Sequence, residues 1–343
     1  MTNNKYTKQN LQDTPLSVLD LVTVSQGKSP ANSFHNSLDL ARHVENFGYK
    51  RYWLAEHHNS PSVASSATSI LIGYIAEGTS TIRVGSGGIM LPNHVPLVVA
   101  EQFGTLESLY PGRIDLGLGR APGTDPITAR ALRRNVLGTE EDFEENIMEL
   151  QNYLGSPNED ASVRAIPGEG TNVPIWILGS SLYSARLAGK LGLPYAFASH
   201  FAPNYLQKAL KLYKESFQPS KTLQEPYSMA CVNVIAADTN EEAQLLASSL
   251  YLFFLNIIRR QKDLLKPPVE NMNSYWNAFE RQTVLQQLYY TFIGDSSTIQ
   301  KELQAFLNDT PVDEIMVCSH IYDHTARVRS YEILSNLVKG NKS

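Results

Sequence analysis

Residues 113–123 read Arg113-Ile114-Asp115-Leu116-Gly117-Leu118-Gly119-Arg120-Ala121-Pro122-Gly123. Apolar residues alternate at Ile114, Leu116 and Leu118, the period of a strand. The stretch ends in a charged residue, Arg120, set among Gly117, Gly119 and Gly123. A strand that finishes in glycines and one arginine suits a close backbone approach to an anion.

Similar units flank it on both sides. Upstream, strands are expected at Leu16–Val24, Arg51–Ala55 and Ile82–Leu91, with helices over 34–47, 64–76 and 96–109. Ser33 precedes the first helical pattern, and Pro96 suits the first position of the third. With the opening strand this makes four strand–helix units, the rhythm of a parallel sheet. Downstream, residues 121–138 read as a loop with a short basic helix (Arg130, Arg133, Arg134). Thr139 with Asp142, and Thr239 with Glu242, resemble capping boxes that open helices. Further strands are expected at 174–178, 195–198, 228–236 and 314–319, and residues 262–290 read as an irregular, aromatic-rich insertion.

Eight strands alternating with helices fit an α/β (β/α)8 barrel, with insertions after strands 4 and 7, better than an open Rossmann sheet. Gly117-Leu118-Gly119 lacks the third glycine of the dinucleotide fingerprint, and no Walker pattern is present. No composition shift marks a boundary. The chain is therefore read as one domain over 1–343, with residues 1–14 as a flexible tail.

The 343 residues are 42 % hydrophobic and 18 % charged, with net charge −5. That balance disfavours nucleic acid and anionic membranes as partners. Cys231 and Cys318 lie in apolar, strand-like runs, so two buried thiols in a reducing cytoplasm are expected rather than a disulfide framework. The N-terminus lacks the apolar core of a signal peptide, and Leu245–Ile258 is too short and too interrupted to span a bilayer.

In such a barrel the active site is built just past the C-terminal strand ends. Here those positions hold Glu56-His57-His58, Gly87-Gly88, Arg120, Gly179-Ser180-Ser181, Ser199-His200 and Ser319-His320. Each has a structural alternative. Two adjacent histidines could be zinc ligands, but no third ligand is apparent, so no metal is expected. One of them could simply cap a strand. Arg120 could be an ion-pair partner, and Gly179-Ser180-Ser181 only a helix cap. The same helix-start geometry offers amides and hydroxyls to a phosphate. Their joint placement at successive strand ends favours the functional reading. No Gly-x-Ser-x-Gly elbow is present to support serine hydrolase chemistry.

Four stretches taken together resemble the bacterial luciferase-like monooxygenases: Tyr52-Trp53-Leu54-Ala55-Glu56-His57-His58, Arg83 through Pro92, Ala100-Glu101-Gln102-Phe103, and Gly112 through Arg120. The resemblance continues through Gly179-Ser180-Ser181 and Gly192-Leu193-Pro194. It implies a TIM barrel, a flavin and a homodimer. It implies FMN, supplied in reduced form by a separate NAD(P)H:flavin reductase, with O2 and a small organic substrate such as an aldehyde. His57 matches the family's catalytic histidine. Gly87-Gly88 matches a place where the family often has a non-prolyl cis peptide beneath the flavin ring. Arg120 matches the arginine that holds the FMN phosphate, and Ser180, with Gly179 and Ser181, matches the rest of that cradle. His58 and His200, with Tyr275, Trp276 and Phe279 of the insertion, are candidates for the substrate pocket; packing is the alternative for the aromatics.

The sequence departs from the light-emitting enzymes at Gly119, where their α-chain has a reactive cysteine, and at Gly179 and Tyr183. The likeness is therefore to the non-luminous branch. Two alternatives stand beside the monooxygenase: an F420-dependent hydride-transfer oxidoreductase of the same superfamily, and a flavin-binding protein without turnover.

Overall fold

The computed structural model describes residues 9–132 and 140–339. The strands are β1 (Leu16–Asp20), β2 (Arg51–Leu54), β3 (Arg83–Ser86), β4 (Ile89–Met90), β5 (Ile114–Gly119), β6 (Ile175–Gly179), β7 (Tyr195–Phe197), β8 (Ser228–Ala236), β9 (Thr291–Gly294) and β10 (Glu314–Cys318). The helices are α1 (Pro30–Asn46), α2 (Thr68–Glu77), α3 (Pro96–Leu109), α4 (Pro126–Leu132), α5 (Glu140–Leu154), α6 (Leu182–Leu191), α7 (Leu206–Ser216), α8 (Asn240–Ile258), α9 (Ala278–Gln287), α10 (Ser296–Asp309) and α11 (His324–Lys339).

All strand pairings are parallel. They run β1–β2–β3–β5–β6–β7–β8–β10, and β10 returns to β1, so eight strands close a barrel. The chain is a (β/α)8 barrel. Each strand is buried on both faces because one face fills the barrel and the other meets the helices. The interior holds Leu19, Trp53, Trp176, Met229, Cys231, Met316 and Cys318, while the larger outer cluster joins strands to helices.

The N-terminal end of the barrel is closed by buried charge. Arg51 donates to Asp115 at 2.7 Å and to Glu314 at 3.0 Å, and Arg83 donates to Asp115 at 3.0 Å. Trp53 Nε1 donates to Asp115 at 3.1 Å, and Tyr227 to Glu314 at 2.7 Å. Buried charges persist only when paired in this way. The function therefore belongs to the opposite, open end.

Four expectations need correction. The third strand breaks at Gly87–Gly88, whose peptide is cis, into β3 and β4, both of which pair β5. The first helix starts at Pro30 rather than after Ser33, because Ser29 and Asn32 form a full capping box there. Residues 9–14 are not a tail: Leu11 is buried, its N–H donates to Gln304 at 2.9 Å, and Gln304 donates to the Gln9 carbonyl at 2.8 Å. Residues 262–290 are not wholly irregular. They contain α9, opened by an Asn277–Glu280 capping box, and β9 follows them, paired to the end of β8 outside the ring. Only Val284 of α9 is buried, so no apolar period announced it. Thr139, Arg133 and Arg134 lie outside the described residues.

Cys231 and Cys318 are free, buried thiols. Among the described residues, no helix is long and apolar enough to cross a membrane.

Candidate active site at the C-terminal end of the barrel

β5 delivers Arg120 to the rim next to the start of α6. The Arg120 guanidinium lies over the Tyr183 ring, 4.5 Å from its centroid. Ser181 is the N-cap of α6, accepting from the Ser184 N–H at 3.5 Å, and Ser180 precedes it on the same turn. A planar cation beside a helix N-terminus is a ready anion site, because first-turn amides and the helix dipole both favour negative charge. Gly179 is needed for packing: a Cβ there would collide with Ser184 of the first turn.

Gly87 and Gly88 are likewise fixed by the protein's own packing. A Cβ on Gly87 would come within 2.6 Å of Leu19, and one on Gly88 within 2.6 Å of the Gly117 carbonyl oxygen. Gly119 is held in the same way, with a Cβ placed 2.8 Å from Met90 Sδ.

Glu56 lies two residues past the end of β2 and is fully buried. Its carboxylate accepts from His58 Nε2 at 2.9 Å, His94 Nε2 at 2.9 Å, the Met90 N–H at 3.0 Å and Asn93 at 3.2 Å. Burial alone would raise its pKa, but the bonds from His94 and His58 outweigh that and hold it below the usual carboxylate range. Glu56 thus ties the end of β2 to the turn after β4. His58, a candidate for the substrate pocket, gives its Nε2 to this cluster.

His57 points elsewhere. Its Nδ1 is buried with no hydrogen-bond partner among the described residues. Burial lowers its pKa, with Glu56 offsetting part of the effect, so the ring is neutral at pH 7. His200 and His320 complete a group with it. Burial and the neighbouring His320 push His200 down to about 3, and burial and the nearby Arg327 push His320 down to about 4; His57 opposes protonation of both. His200 follows β7, His320 follows β10 and His57 follows β2, so three different strands deliver them to the C-terminal end of the barrel, with β10 opposite β5 in the ring. His94 is the site-forming histidine that sequence reasoning did not select, and His320 was marked there only as a strand-end position without a role. The strand-end position of His320 was the available signal.

The aromatic segment divides. Tyr275 and Phe279 are exposed, whereas Trp276 packs on Tyr251 with ring centroids 5.5 Å apart. Among the described residues, no group of three or more His, Cys, Asp or Glu side chains is placed to hold a metal ion.

The class this defines is an eight-stranded parallel (β/α)8 barrel that gathers Arg120, the α6 N-terminus and three buried histidines at the C-terminal ends of its strands. The family description "Luciferase-like monooxygenase" matches residues 14–314, and the chain belongs to that family. A luciferase-like monooxygenase of Escherichia coli (strain K12) is 51 % identical over 92 % of this chain and 95 % of its own. The apo-MsnO8 crystal structure superposes with a TM-score of 0.84 at 33 % identity, over 94 % of this chain and 98 % of that one. The oxygenating constituent of 3,6-diketocamphane monooxygenase of Pseudomonas putida, solved in complex with FMN, shares the fold at 18 % identity, with a TM-score of 0.73 over 95 % and 98 %.

Proposed function

We propose that this protein is an FMN-dependent monooxygenase that takes reduced flavin from a separate NAD(P)H:flavin reductase and uses O2 to oxygenate a small organic substrate. The observation that carries this reading is the placement of Arg120 at the α6 N-terminus, with His57, whose buried Nδ1 has no hydrogen-bond partner among the described residues, at another strand end of the same mouth.

The residues present fit an FMN. Arg120 would make charge-assisted bonds to the phosphate, and Ser180, Ser181 and the first-turn amides of α6 would supply the remaining donors. Reduced FMN, when bound, supplies the electrons that activate O2 for transfer of one oxygen atom to the substrate. The protein contributes position, dryness and proton control. His57, neutral and with Nδ1 uncommitted, is suited to hold or move a proton at that atom. Glu56 fixes the strand end that carries it, through His58 and His94. Leu265 joins its backbone to Gln26 and Val24, tying the segment after α8 to the loop after β1 at the C-terminal end of the barrel.

A homodimer accords with this reading: Ile70 and Tyr74 on α2, and Val95 and Val98 at the start of α3, leave an exposed apolar surface on two adjacent helices. The single-barrel architecture and the reduced cysteines accord with one domain in a cytoplasmic setting.

Titration of the purified protein with FMN and with F420, followed by single-turnover mixing of reduced FMN, O2 and an aldehyde panel, tests the proposal. FMN binding with substrate-dependent, oxygen-containing product is expected. Tighter binding of F420 would replace the proposal with hydride transfer. Bound FMN without product from any substrate would leave a flavin carrier.

A further inference from the structure

The most concentrated set of unpaired polar atoms lies between β7, β8 and β10. Asn233 stands directly opposite Cys318 in the β8–β10 register, and His320 lies two residues beyond Cys318. Asn233 Nδ2 donates to the His200 carbonyl at 2.7 Å and to Thr291 Oγ1 at 3.2 Å, which fixes the amide's orientation. Its Oδ1 is then left buried and unpartnered among the described residues, as are His200 Nδ1 and His320 Nε2. His320 Nδ1 lies 3.6 Å from Cys318 Sγ. That buried thiol keeps its proton, its pKa pushed up to about 12 by burial. A ring nitrogen is a far better acceptor than a thiol sulfur, so the thiol donates to Nδ1 and the ring hydrogen sits on Nε2.

The result is an acceptor of fixed orientation, Asn233 Oδ1, and a donor, His320 Nε2–H, at the ends of two paired strands, with His200 tied to Asn233 through its carbonyl. Buried polar atoms without partners are costly, on the order of 1–3 kcal/mol each, so such a group is built to be satisfied by something that enters. Charge in this quarter is already balanced. Arg327 donates to Asp20 at 2.8 Å and to the Ser319 carbonyl at 3.0 Å, and the three histidines are neutral. A carboxylate placed here would find no uncommitted cation among the described residues. Two aromatic rings flank the histidines: Phe201 edge-on to His200 at 4.8 Å and Phe253 tilted on His320 at 4.9 Å.

We propose that His200, Asn233 and His320 form the polar recognition half of the substrate site. They take an uncharged molecule whose head presents a carbonyl acceptor beside an N–H or O–H donor, an amide being the simplest, with an apolar tail against Phe201 and Phe253. The assignment rests on the reading of this mouth as an oxygenase site, but its test does not require turnover.

Calorimetric titration with hexanamide, methyl hexanoate and hexanoate compares donor plus acceptor, acceptor only and anion on one tail. FMN is titrated separately. Hexanamide is expected to bind roughly tenfold tighter than either congener, the worth of about one good hydrogen bond. Asn233→Leu and His320→Phe, one variant on each side of the pair, should each reduce that preference to within about twofold while FMN affinity is unchanged. Equal or tighter binding of hexanoate, absence of hexanamide binding, or a preference that survives both substitutions overturns the proposal. Failure of FMN to bind while the amide preference holds overturns the cofactor reading and leaves the half-site standing.

Discussion

Arg120→Ala isolates the cofactor cradle from the rest of the mouth. The side chain is partly exposed at the rim, with its guanidinium 4.5 Å from the Tyr183 ring centroid, so truncation removes no core volume. If Arg120 binds the FMN phosphate, the loss is a hydrogen bond between charged groups, about 1.5–3 kcal/mol. That corresponds to a roughly 10- to 150-fold rise in the FMN dissociation constant. The loss must be specific to the phosphate. Riboflavin shares the ring system but lacks the phosphate, and its affinity should change by less than about threefold, the allowance for lost ordering at Tyr183. Arg120→Lys should recover part of the FMN affinity, because the charge returns without the planar fork. Flavin fluorescence quenching reads all these affinities, and a urea titration checks that the fold is intact. Equal loss of FMN and riboflavin, or no loss of either in a stable variant, would refute the assignment and leave Arg120 a structural partner of Tyr183.

His57→Gln should abolish substrate-dependent turnover while leaving FMN affinity within about twofold; comparable turnover in the variant would remove the histidine from the mechanism. Stability should fall with pH through the histidines: His200 and His320 titrate near 6.5 when unfolded but at about 3 and about 4 when folded, so the unfolded chain binds the extra protons. Their contribution is intact above pH 6.5 and is lost as pH drops toward 4, at about 1.4 kcal/mol per pH unit per group. Urea midpoints from pH 7.5 to 4.5 read that slope, and His200→Gln should flatten it. Arg327→Met leaves Asp20 buried without its cation and should cost about 3–5 kcal/mol, with much of that restored in the Asp20→Asn/Arg327→Met double variant. Chemical denaturation of the three variants forms the cycle. Gly88→Ala places a methyl against Leu178 and within 2.6 Å of the Gly117 carbonyl, and should destabilise the barrel by about 1–3 kcal/mol, read as a lowered urea midpoint.

The sequence by itself determined the eight barrel strands and most of the helices between them. Strands buried on both faces read as short apolar runs, and caps, glycines and prolines punctuate them whatever the tertiary context. The residues 113–123 named a strand, and β5 is that strand; Arg120 leaves it beside the α6 N-terminus, which is where the proposed phosphate contact would be made. Short-range signals failed where an element takes its order from contacts distant in sequence. β9 has four residues and exists because β8 extends past the ring, and α9 buries one side chain.

Only the tertiary structure decided how the histidines divide. His57 and His58 are adjacent in sequence, yet one faces the mouth and the other gives its nitrogen to Glu56, because consecutive side chains leave a strand end in different directions. His94 joins that carboxylate from 38 residues away, and Asn233, His200 and His320 meet only through closure of the barrel between β8 and β10. Strand periodicity is a local property. Which unpaired atoms share a pocket depends on sheet register and ring closure, which pair residues too far apart in the chain for any short pattern to record.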